Sequence, residues 1–258
     1  MRVIIFVISL LALQGSIAWA DSTPTGLFEV IESHYDSVIN APAAYEPENA
    51  PQTVNRIVTF EHGGATFDGE AVVCQRLESK TESIPLGKLL RQVFGERTLD
   101  QQERQLQARY PGPANFGLKM AASTRVRATQ FRCPSDDDSE WTGRAIFPVG
   151  NGRWALAWRN DYLLILRPVS LNSPIRASFD CAKAASATEH TICLDRNLAG
   201  WDRSISGAYR SHIESGVDDP KIVRAEQRAW LAERDACGAD KDCLLGKMRL
   251  RAWNLSKW

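Results

Sequence analysis

Six cysteines are the residues of this 258-residue sequence whose type and spacing most readily support chemistry. A cysteine thiolate can attack an electrophile, bind a metal or form a disulfide. Cys-x-x-Cys pairs, which structural zinc sites commonly use, are absent, although His190 stands close to Cys193. The even count favours three disulfides over a zinc site, and six cysteines permit fifteen pairings. The positions are Cys74, Cys133, Cys181, Cys193, Cys237 and Cys243.

The first 20 residues indicate that these cysteines meet an oxidising compartment. Arg2 precedes an apolar run at residues 3–13, and the small-residue ending at residues 18–20 predicts cleavage before Asp21. These features are typical of a secretory signal peptide, so we expect a periplasmic or secreted protein with disulfides. Because no cysteine stands near the predicted cleavage site, the sequence does not indicate lipid attachment. No later segment has the roughly 20 apolar residues of a membrane span.

Spacing along the chain favours one of the fifteen pairings. Two cysteines bracket the start of one predicted helix, two more bracket a predicted turn between helices, and the remaining two lie in the first part of the chain. The predicted disulfides are therefore Cys181–Cys193, Cys237–Cys243 and Cys74–Cys133. All six thiols are then consumed, which leaves none for covalent catalysis.

The other reactive side chains show no arrangement typical of an enzyme. The four histidines stand apart, and the sequence has no H-E-x-x-H, G-x-S-x-G or phosphate-binding glycine motif. Runs of carboxylates at residues 218–219 and 136–138 suggest acid–base or calcium chemistry, but helix capping explains the first and a solvated loop the second. The sequence therefore predicts a protein without catalytic activity, metal or cofactor.

Start and stop signals predict four helices in the last third of the chain. Ser186 and Glu189 have the spacing of a capping box, Asp195 can cap a second helix, and Asp219-Pro220 places proline at a first helical position. Glycines at 216 and 238 are predicted stops. Helical spacing assigns Leu198, Trp201, Ile205, Ala208, Tyr209 and His212 to the interior of the second helix, and Ile222, Ala229, Trp230 and Cys237 to that of the third. The fourth begins near Asp240 and continues through Leu255.

These residues also form an ordered pattern. D-C-A-K-A at 180–184 is followed by E-x-x-I-C-x-D-x-x-L at 189–198, by Trp201-Asp202 and Ala208-Tyr209-Arg210, and by E-Q-R-A-W-L-A-x-R-D-x-C at 226–237. The pattern resembles the bacterial LprI-type domain, a family with lysozyme-inhibitor members. The resemblance implies a protein-binding function. The motif residues, for which we expect mainly structural roles, are Asp195, Trp201, Asp202, Tyr209, Gln227, Trp230, Arg234 and Asp235.

Gln227, Trp230 and Arg234 stand at helical spacing and have two interpretations. In the first, Arg234 stacks on Trp230 and pairs with an acid such as Asp202 across the helices, which locks a small bundle. In the second, the three residues face a partner. We favour the first because such clamps are common in small disulfide-bonded domains.

The first part of the chain predicts mainly strands. Residues 25–39 suggest a short helix from the spacing of Leu27, Ile31, Tyr35 and Val38, and a Pro- and Ala-rich loop follows at 41–51. Alternating segments at 54–60, 65–67, 70–77, 124–133, 142–149, 153–159 and 162–169 predict strands, with a tight turn at Asp68-Gly69. Helices interrupt them at 86–94 and 99–110. Short turns make the last three strands antiparallel neighbours, as in a meander or small barrel.

We therefore expect an α+β fold. Residues 1–20 are the signal peptide, residues 21–175 an antiparallel meander or small barrel-like domain with inserted helices, and residues 178–258 a disulfide-bonded all-α domain. A zero net charge, from 31 basic and 31 acidic residues, argues against nucleic acid or an anionic membrane as the main partner. The cations Lys247, Arg249 and Arg251 are expected on a solvated face.

The functional hypothesis is an exported binding protein that occludes a lysozyme or a related peptidoglycan-cleaving enzyme. An alternative is a periplasmic immunity or envelope-maintenance protein that binds an exported toxin through its N-terminal domain. A third is a hydrolase with an unrecognised site. Eight tryptophans favour binding, because tryptophan is enriched at interface hot spots. Trp141, Trp253 and Trp258 stand near segment ends and are candidates for exposure.

Overall fold

The computed structural model describes residues 24–35, 49–61, 64–71, 74, 77–94, 112–134, 139–158 and 162–256. The described residues up to Val169 form the sheet region, which consists mainly of strands with one helix and one short 3-10 turn. Residues 181–255 form the helical region. The predicted α+β fold class is confirmed. The signal peptide, residues 41–48 of the predicted loop, the predicted helix at 99–110, the carboxylates at 136–138 and Trp258 lie outside the described residues.

Nine strands form one antiparallel sheet in the described part of the chain. Its order is β4-β3-β2-β1-β9-β8-β7-β6-β5, so two meanders meet where β1 pairs with β9. The predicted antiparallel run of the last three strands is confirmed. The strands are β1 Gly26–Tyr35, β2 Ile57–Glu61, β3 Gly64–Phe67, β4 Glu70–Ala71, β5 Glu78–Pro85, β6 Arg125–Arg132, β7 Ala145–Gly150, β8 Arg153–Trp158 and β9 Tyr162–Val169.

The sheet curls so that strands far apart in its order touch through their side chains. Phe60 on β2 stacks on Phe131 on β6 at a ring distance of 5.5 Å, and Trp141 packs against both rings. The Cys74–Cys133 disulfide joins the segment after β4 to the end of β6 and spans the same curl. The enclosed face is therefore an aromatic core, in which edge and stacked ring contacts add to burial.

The opposite face of the sheet is covered by one helix and a short 3-10 turn. Helix α1, Leu86–Phe94, has the bounds that the sequence predicted and buries Leu86, Leu89 and Leu90, and it follows β5, a strand that was not predicted from the sequence. The 3-10 turn Pro113–Phe116 adds Phe116, whose ring lies 4.9 Å from that of Phe94. With both faces of its central strands covered, the sheet can bury apolar residues at successive positions, as β9 does.

Strand β1 replaces the helix predicted at residues 25–39, so that prediction was wrong. Phe28 and Val30 are buried on one face, and a register shift between Val30 and Glu32 moves the next buried position to Ser33. One extra residue interrupts the period of two and leaves apolar spacings of three and four that imitate a helix. Ile31 packs against the core of the other face.

The helical region begins each helix at the predicted cap. At the N-terminus of the first helix, Ser186 Oγ accepts from the Glu189 amide at 3.1 Å, and a Glu189 carboxylate oxygen accepts from the Ser186 amide at 3.2 Å. Asp195, Asp219 and Asp240 cap the next three helices through their side chains. The helices are α2 Ala187–Leu194, α3 Arg196–Ser215, α4 Pro220–Asp235 and α5 Lys241–Leu255.

Two disulfides close the helical region around a small core. Cys181 bonds to Cys193, and Cys237 to Cys243, the pairs that spacing favoured. The inner face of α4 departs from the prediction. Val223, Trp230 and Arg234 are buried, whereas Ile222 is 58% exposed and Ala229 is exposed as well. The helix is rotated relative to the predicted stripe because the polar Arg234 takes an interior position.

The outer strand β5 carries charges that discourage further pairing. It pairs with β6 alone among the described strands, and β4 forms the other edge of the sheet. Along β5 the charged side chains of Glu78, Lys80 and Glu82 alternate with small polar ones. Short edge strands and edge charges are the common protection of a sheet against unwanted strands.

Candidate partner-binding surface

The motif residues of α3 and α4 meet inside the helical region. Arg234 Nη1 lies 3.6 Å from Asp202 Oδ1, and both side chains are almost fully buried. The guanidinium carbon is 5.5 Å from the centre of the Trp230 ring. Arg234 also donates to Asp235 Oδ1 at 2.7 and 2.9 Å, and Asp202 Oδ2 accepts from the Ser178 amide at 2.6 Å. The arrangement is the buried clamp of the first interpretation, because these side chains satisfy one another rather than face solvent.

Gln227 and Trp230 fasten α4 to α5. Gln227 Oε1 accepts from Arg251 Nη2 at 2.9 Å and from Nε at 3.2 Å. The Trp230 indole donates to the Lys247 carbonyl at 3.4 Å, and the Arg251 guanidinium lies 6.0 Å from its ring centre. Burial lowers the pKa of Arg251, and the carboxylate of Glu226 opposes the shift. These contacts are internal to the helix pair.

Asp195 and Tyr209 also have internal positions. Asp195 Oδ1 accepts from the amides of Asn197 and Leu198 at 3.0 and 3.2 Å, and its other oxygen accepts from Lys241 Nζ at 2.8 Å. Burial acts to raise the pKa of Asp195, but the Lys241 ammonium and the two amides outweigh it and lower the pKa. Tyr209 packs against the helical core.

Trp201 differs from the other motif residues because it packs in the core of the helical region and also contacts the sheet region. Its indole nitrogen donates to Asp68 Oδ2 at 2.8 Å, across 133 residues of sequence. Arg249 Nη2 reaches the same oxygen at 3.3 Å. Asp68 stands in the predicted turn, where Asp68 and Gly69 have φ angles of 58° and 77°. The turn therefore presents a buried carboxylate to two helices.

Arg56 completes this contact from the sheet side. Its side chain is fully buried, its guanidinium carbon lies 3.5 Å from the centre of the Trp201 ring, and its Nη1 is 3.6 Å from Asp68 Oδ1. Burial lowers the pKa of Arg56 to about 9, against the charge of Asp68. Burial likewise raises the pKa of Asp68, and the charge of Arg56 and the hydrogen bonds from Trp201 and Arg249 oppose that shift without reversing it.

Ser204 and Gly200 let α3 approach the sheet region closely. Ser204 Oγ accepts from Arg56 Nη2 at 2.9 Å and from Asn55 Nδ2 at 3.1 Å, and it donates to the Val54 carbonyl at 2.8 Å. A Cβ added at Gly200 would collide with the carbonyl oxygen of Asn55. We call this set of contacts, with Arg56, Asp68, Trp201 and Arg249, the seam between the two regions.

Sequence reasoning missed most of the seam. It treated Asp68 as a turn residue, placed Arg249 on a solvated face, and assigned no role to Arg56 or Ser204. No local signal marks these residues, because their partners lie far away in sequence. The one sequence signal of the buried Arg56 is its position directly before an apolar strand.

Two open grooves flank the seam. The first, of about 530 Å³, is lined by loop residues such as Asn49 and Asn55 and by α3 residues such as Ser211 and His212. His212 Nε2 lies 2.8 Å from Asp218 Oδ2. The second, of about 500 Å³, is the basic groove, and its charged lining consists of Glu29, Arg167, Arg176, Arg196 and Arg203.

The outer face of α5 exposes apolar side chains. Leu250 is 58% exposed and Trp253 is 50% exposed, three residues apart on one helix. The neighbouring cations are engaged, because Lys247 pairs with Glu233 at 3.1 Å and Arg251 with Gln227. The predicted exposure of Trp141 was wrong, since its ring is fully buried in the aromatic core.

Two absences apply to the described ranges. Within them no three histidine, cysteine or carboxylate side chains form a group that would hold a metal ion. No helix in the same ranges combines the length and the apolar character needed to cross a membrane.

Together these features define a class of protein. It is an α+β chain whose capped, disulfide-bonded helical region packs on a curled sheet through a buried ion pair, and whose motif residues are mainly internal. Residues 181–255 match the family described as Lysozyme inhibitor LprI, so the resemblance in the C-terminal third is confirmed.

Individual relatives support the same segment. Lipoprotein LprI of Mycobacterium bovis and Lipoprotein LprI of Mycobacterium tuberculosis are each 34% identical to this chain over 79 residues. The matched part is 29% of this chain, and it covers 38% of the length of each relative. No solved structure matches the chain significantly.

Proposed function

We propose that this chain is an exported, non-catalytic protein that inhibits a lysozyme or a related peptidoglycan-cleaving enzyme by occluding its glycan cleft. The observation that carries this proposal is the match of residues 181–255 to a lysozyme-inhibitor family. The helices that form this segment are capped, disulfide-bonded and fully described, so the matched residues make up a folded surface.

The roles of the hydroxyl groups near the first groove support a binding protein over a hydrolase. Ser204 Oγ donates to the Val54 carbonyl, and Ser215 Oγ donates to the His212 carbonyl at 2.8 Å, so both hydroxyls bond to backbone rather than to a base. A serine nucleophile needs its hydroxyl proton directed to a general base such as an imidazole nitrogen. These serines instead stabilise helix and loop.

The outer face of α5 is the surface that we assign to the enzyme. Buried clamp residues such as Trp230 and Arg234 cannot contact a partner without unfolding, so the contact falls on exposed side chains. Trp253 and Leu250 provide an aromatic and an aliphatic anchor, and tryptophan is enriched at binding hot spots. Lys247, whose side chain is 39% exposed, and the half-buried Arg251 stand beside them, and each would have to exchange its present partner, Glu233 or Gln227, to meet the two carboxylates that flank the scissile bond in a glycosidase cleft.

An inhibition assay tests this proposal. The purified chain without residues 1–20 is mixed with lysozymes of several structural types, and lysis of cell walls is followed over time. We expect inhibition of at least one type, and Trp253→Ala should weaken it by roughly tenfold or more, as hot-spot losses of about 2 kcal/mol imply. Leu194→Ala, which also truncates an exposed apolar side chain but on α2 rather than α5, should have no effect.

Two results would contradict the proposal. One is no inhibition of any lysozyme type at micromolar inhibitor. The other is affinity capture, from periplasm, of a partner that cleaves no glycan, which would favour the immunity alternative instead. Circular dichroism of Trp253→Ala separates loss of binding from loss of fold.

A further inference from the structure

The basic groove lies beside the seam, where Asn55 and Arg203 line it and the first groove alike, and has a strong excess of positive charge. Four arginines line it together with a single carboxylate, Glu29. They come from β9, from the segment between the regions and from α3, so the site exists only while the two regions pack together. No sequence motif predicted a role for these arginines.

Glu29 is already neutralised inside the groove. Arg167 Nη2 donates to its Oε2 at 2.6 Å, and Arg203 Nη2 donates to its Oε1 at 2.5 Å. Arg203 is turned inward, since it also donates to Asn55 Oδ1 and to the Arg176 carbonyl. One carboxylate shared by two guanidinium groups leaves an excess of three positive charges along the groove.

Three of the arginines keep donors that face the groove or solvent. Arg196 uses Nη2 for the carbonyls of Leu171 and Ser173, at 3.3 and 2.8 Å, and these bonds fix its direction. Arg167 is 61% exposed beyond its bond to Glu29. Arg176 is exposed and has no acidic partner in the described ranges. Fixed guanidinium groups with open donors match the geometry of carboxylate and phosphate oxygens.

We propose that the basic groove binds a small polyanion that carries two or more carboxylate or phosphate groups. Its volume of about 500 Å³ lies within the usual range of roughly 300–1,000 Å³ for small-molecule pockets. This volume is larger than a single inorganic ion needs. More than one negative charge is required to balance three positive ones spread over separate elements. This site goes beyond the proposed inhibition and does not depend on it.

Isothermal titration of the chain without residues 1–20 tests the site with three probes. Pyrophosphate and citrate represent the two sources of the anion, and acetate is the single-charge control. We expect saturable binding of pyrophosphate, citrate or both, and little binding of acetate. A preference for one of the two identifies phosphate or carboxylate as the source.

A matched pair of variants assigns the binding to the groove. Arg176→Gln removes the exposed arginine that has no acidic partner in the described ranges, so folding should be unaffected and the Kd should rise about tenfold, as loss of a charged hydrogen bond implies. Arg228→Gln removes the same charge from an exposed position on α4, outside the groove, and should leave the Kd unchanged. Equal weakening by both variants, or no saturable binding of either polyanion, would overturn the proposal.

Discussion

The sheet region and the helical region of this chain are held together in different ways. The sheet region has an aromatic core in which strands distant in the sheet touch, and its disulfide spans 59 residues. The helical region has a small core, explicit caps and two disulfides that span 12 and 6 residues. Structure that rests on local contacts can be recognised from a short motif, whereas structure that rests on distant packing leaves little trace in sequence.

The seam complicates this comparison. Arg56 and Asp68 belong to the sheet region, yet they form hydrogen bonds with Trp201, Ser204 and Arg249 of the helical region. Unfolding either region alone would expose the buried pair to water. Three predictions test how far the two regions are independent.

The largest effect is expected from breaking the buried pair. Asp68→Ala leaves Arg56 buried without its carboxylate, and removal of one partner of such a pair typically costs about 3–5 kcal/mol. Urea unfolding followed by circular dichroism and tryptophan fluorescence measures the loss. The double variant Arg56→Met/Asp68→Asn should recover much of it, because no buried guanidinium is left unpaired, and asparagine tolerates the φ of 58° and can still accept from Trp201. A loss below about 1 kcal/mol in Asp68→Ala would show that water already reaches the pair.

The next largest effect concerns the Cys181–Cys193 disulfide. Its short loop should contribute roughly 2–3 kcal/mol, a large share of the stability of so small a region. We expect reduction to unfold residues 178–258 at temperatures where the strand signal persists, and Cys193→Ser alone to lower the helical transition. Cys181→Ser/Cys193→Ser is the control without a free thiol.

Two observations would contradict that prediction. If helix and strand signals are lost in one coincident transition, the seam couples the regions more strongly than the disulfides divide them. If mass spectrometry links Cys74 or Cys133 to a cysteine of the helical region, the division at residues 175–178 fails as well.

The smallest effect tests the close approach of α3. Gly200→Ala places a methyl group against the Asn55 carbonyl, and overpacking of this kind costs about 1–3 kcal/mol. Gly207→Ala, on the same helix with open space around it, should instead stabilise by roughly 0.5–1 kcal/mol. Thermal unfolding of the two variants gives the comparison, and equal shifts would argue against the tight contact.

The sequence predicted the helical region well because its signals are local. Ser186 and Glu189 act over three residues, and Asp195 and Asp219 bond to amides of the first turn that follows each. Such bonds need no knowledge of the rest of the chain. The same holds for the pairing of Cys237 with Cys243.

Prediction failed where distant residues decide. The irregularity after Val30 disguised β1 as a helix, and only the pairing with β2 and β9 reveals it as a strand. Trp141 stands near a segment end in sequence, but Phe60, Phe131 and Trp158 close around it. The basic groove assembles from three separate segments, so no single stretch of sequence shows its charge.

The charged edge of the sheet at β5 restricts how this chain can recognise another protein. A partner strand that extends a sheet needs a long row of open backbone groups, and β5 is an outer strand that the structure describes in full. Along β5, Glu78, Lys80 and Glu82 would bring desolvated charges into any added strand. Recognition by β-augmentation and edge-to-edge polymerisation are therefore disfavoured at this edge. A partner that approaches from the side of β5 has to be recognised through side chains rather than through backbone pairing.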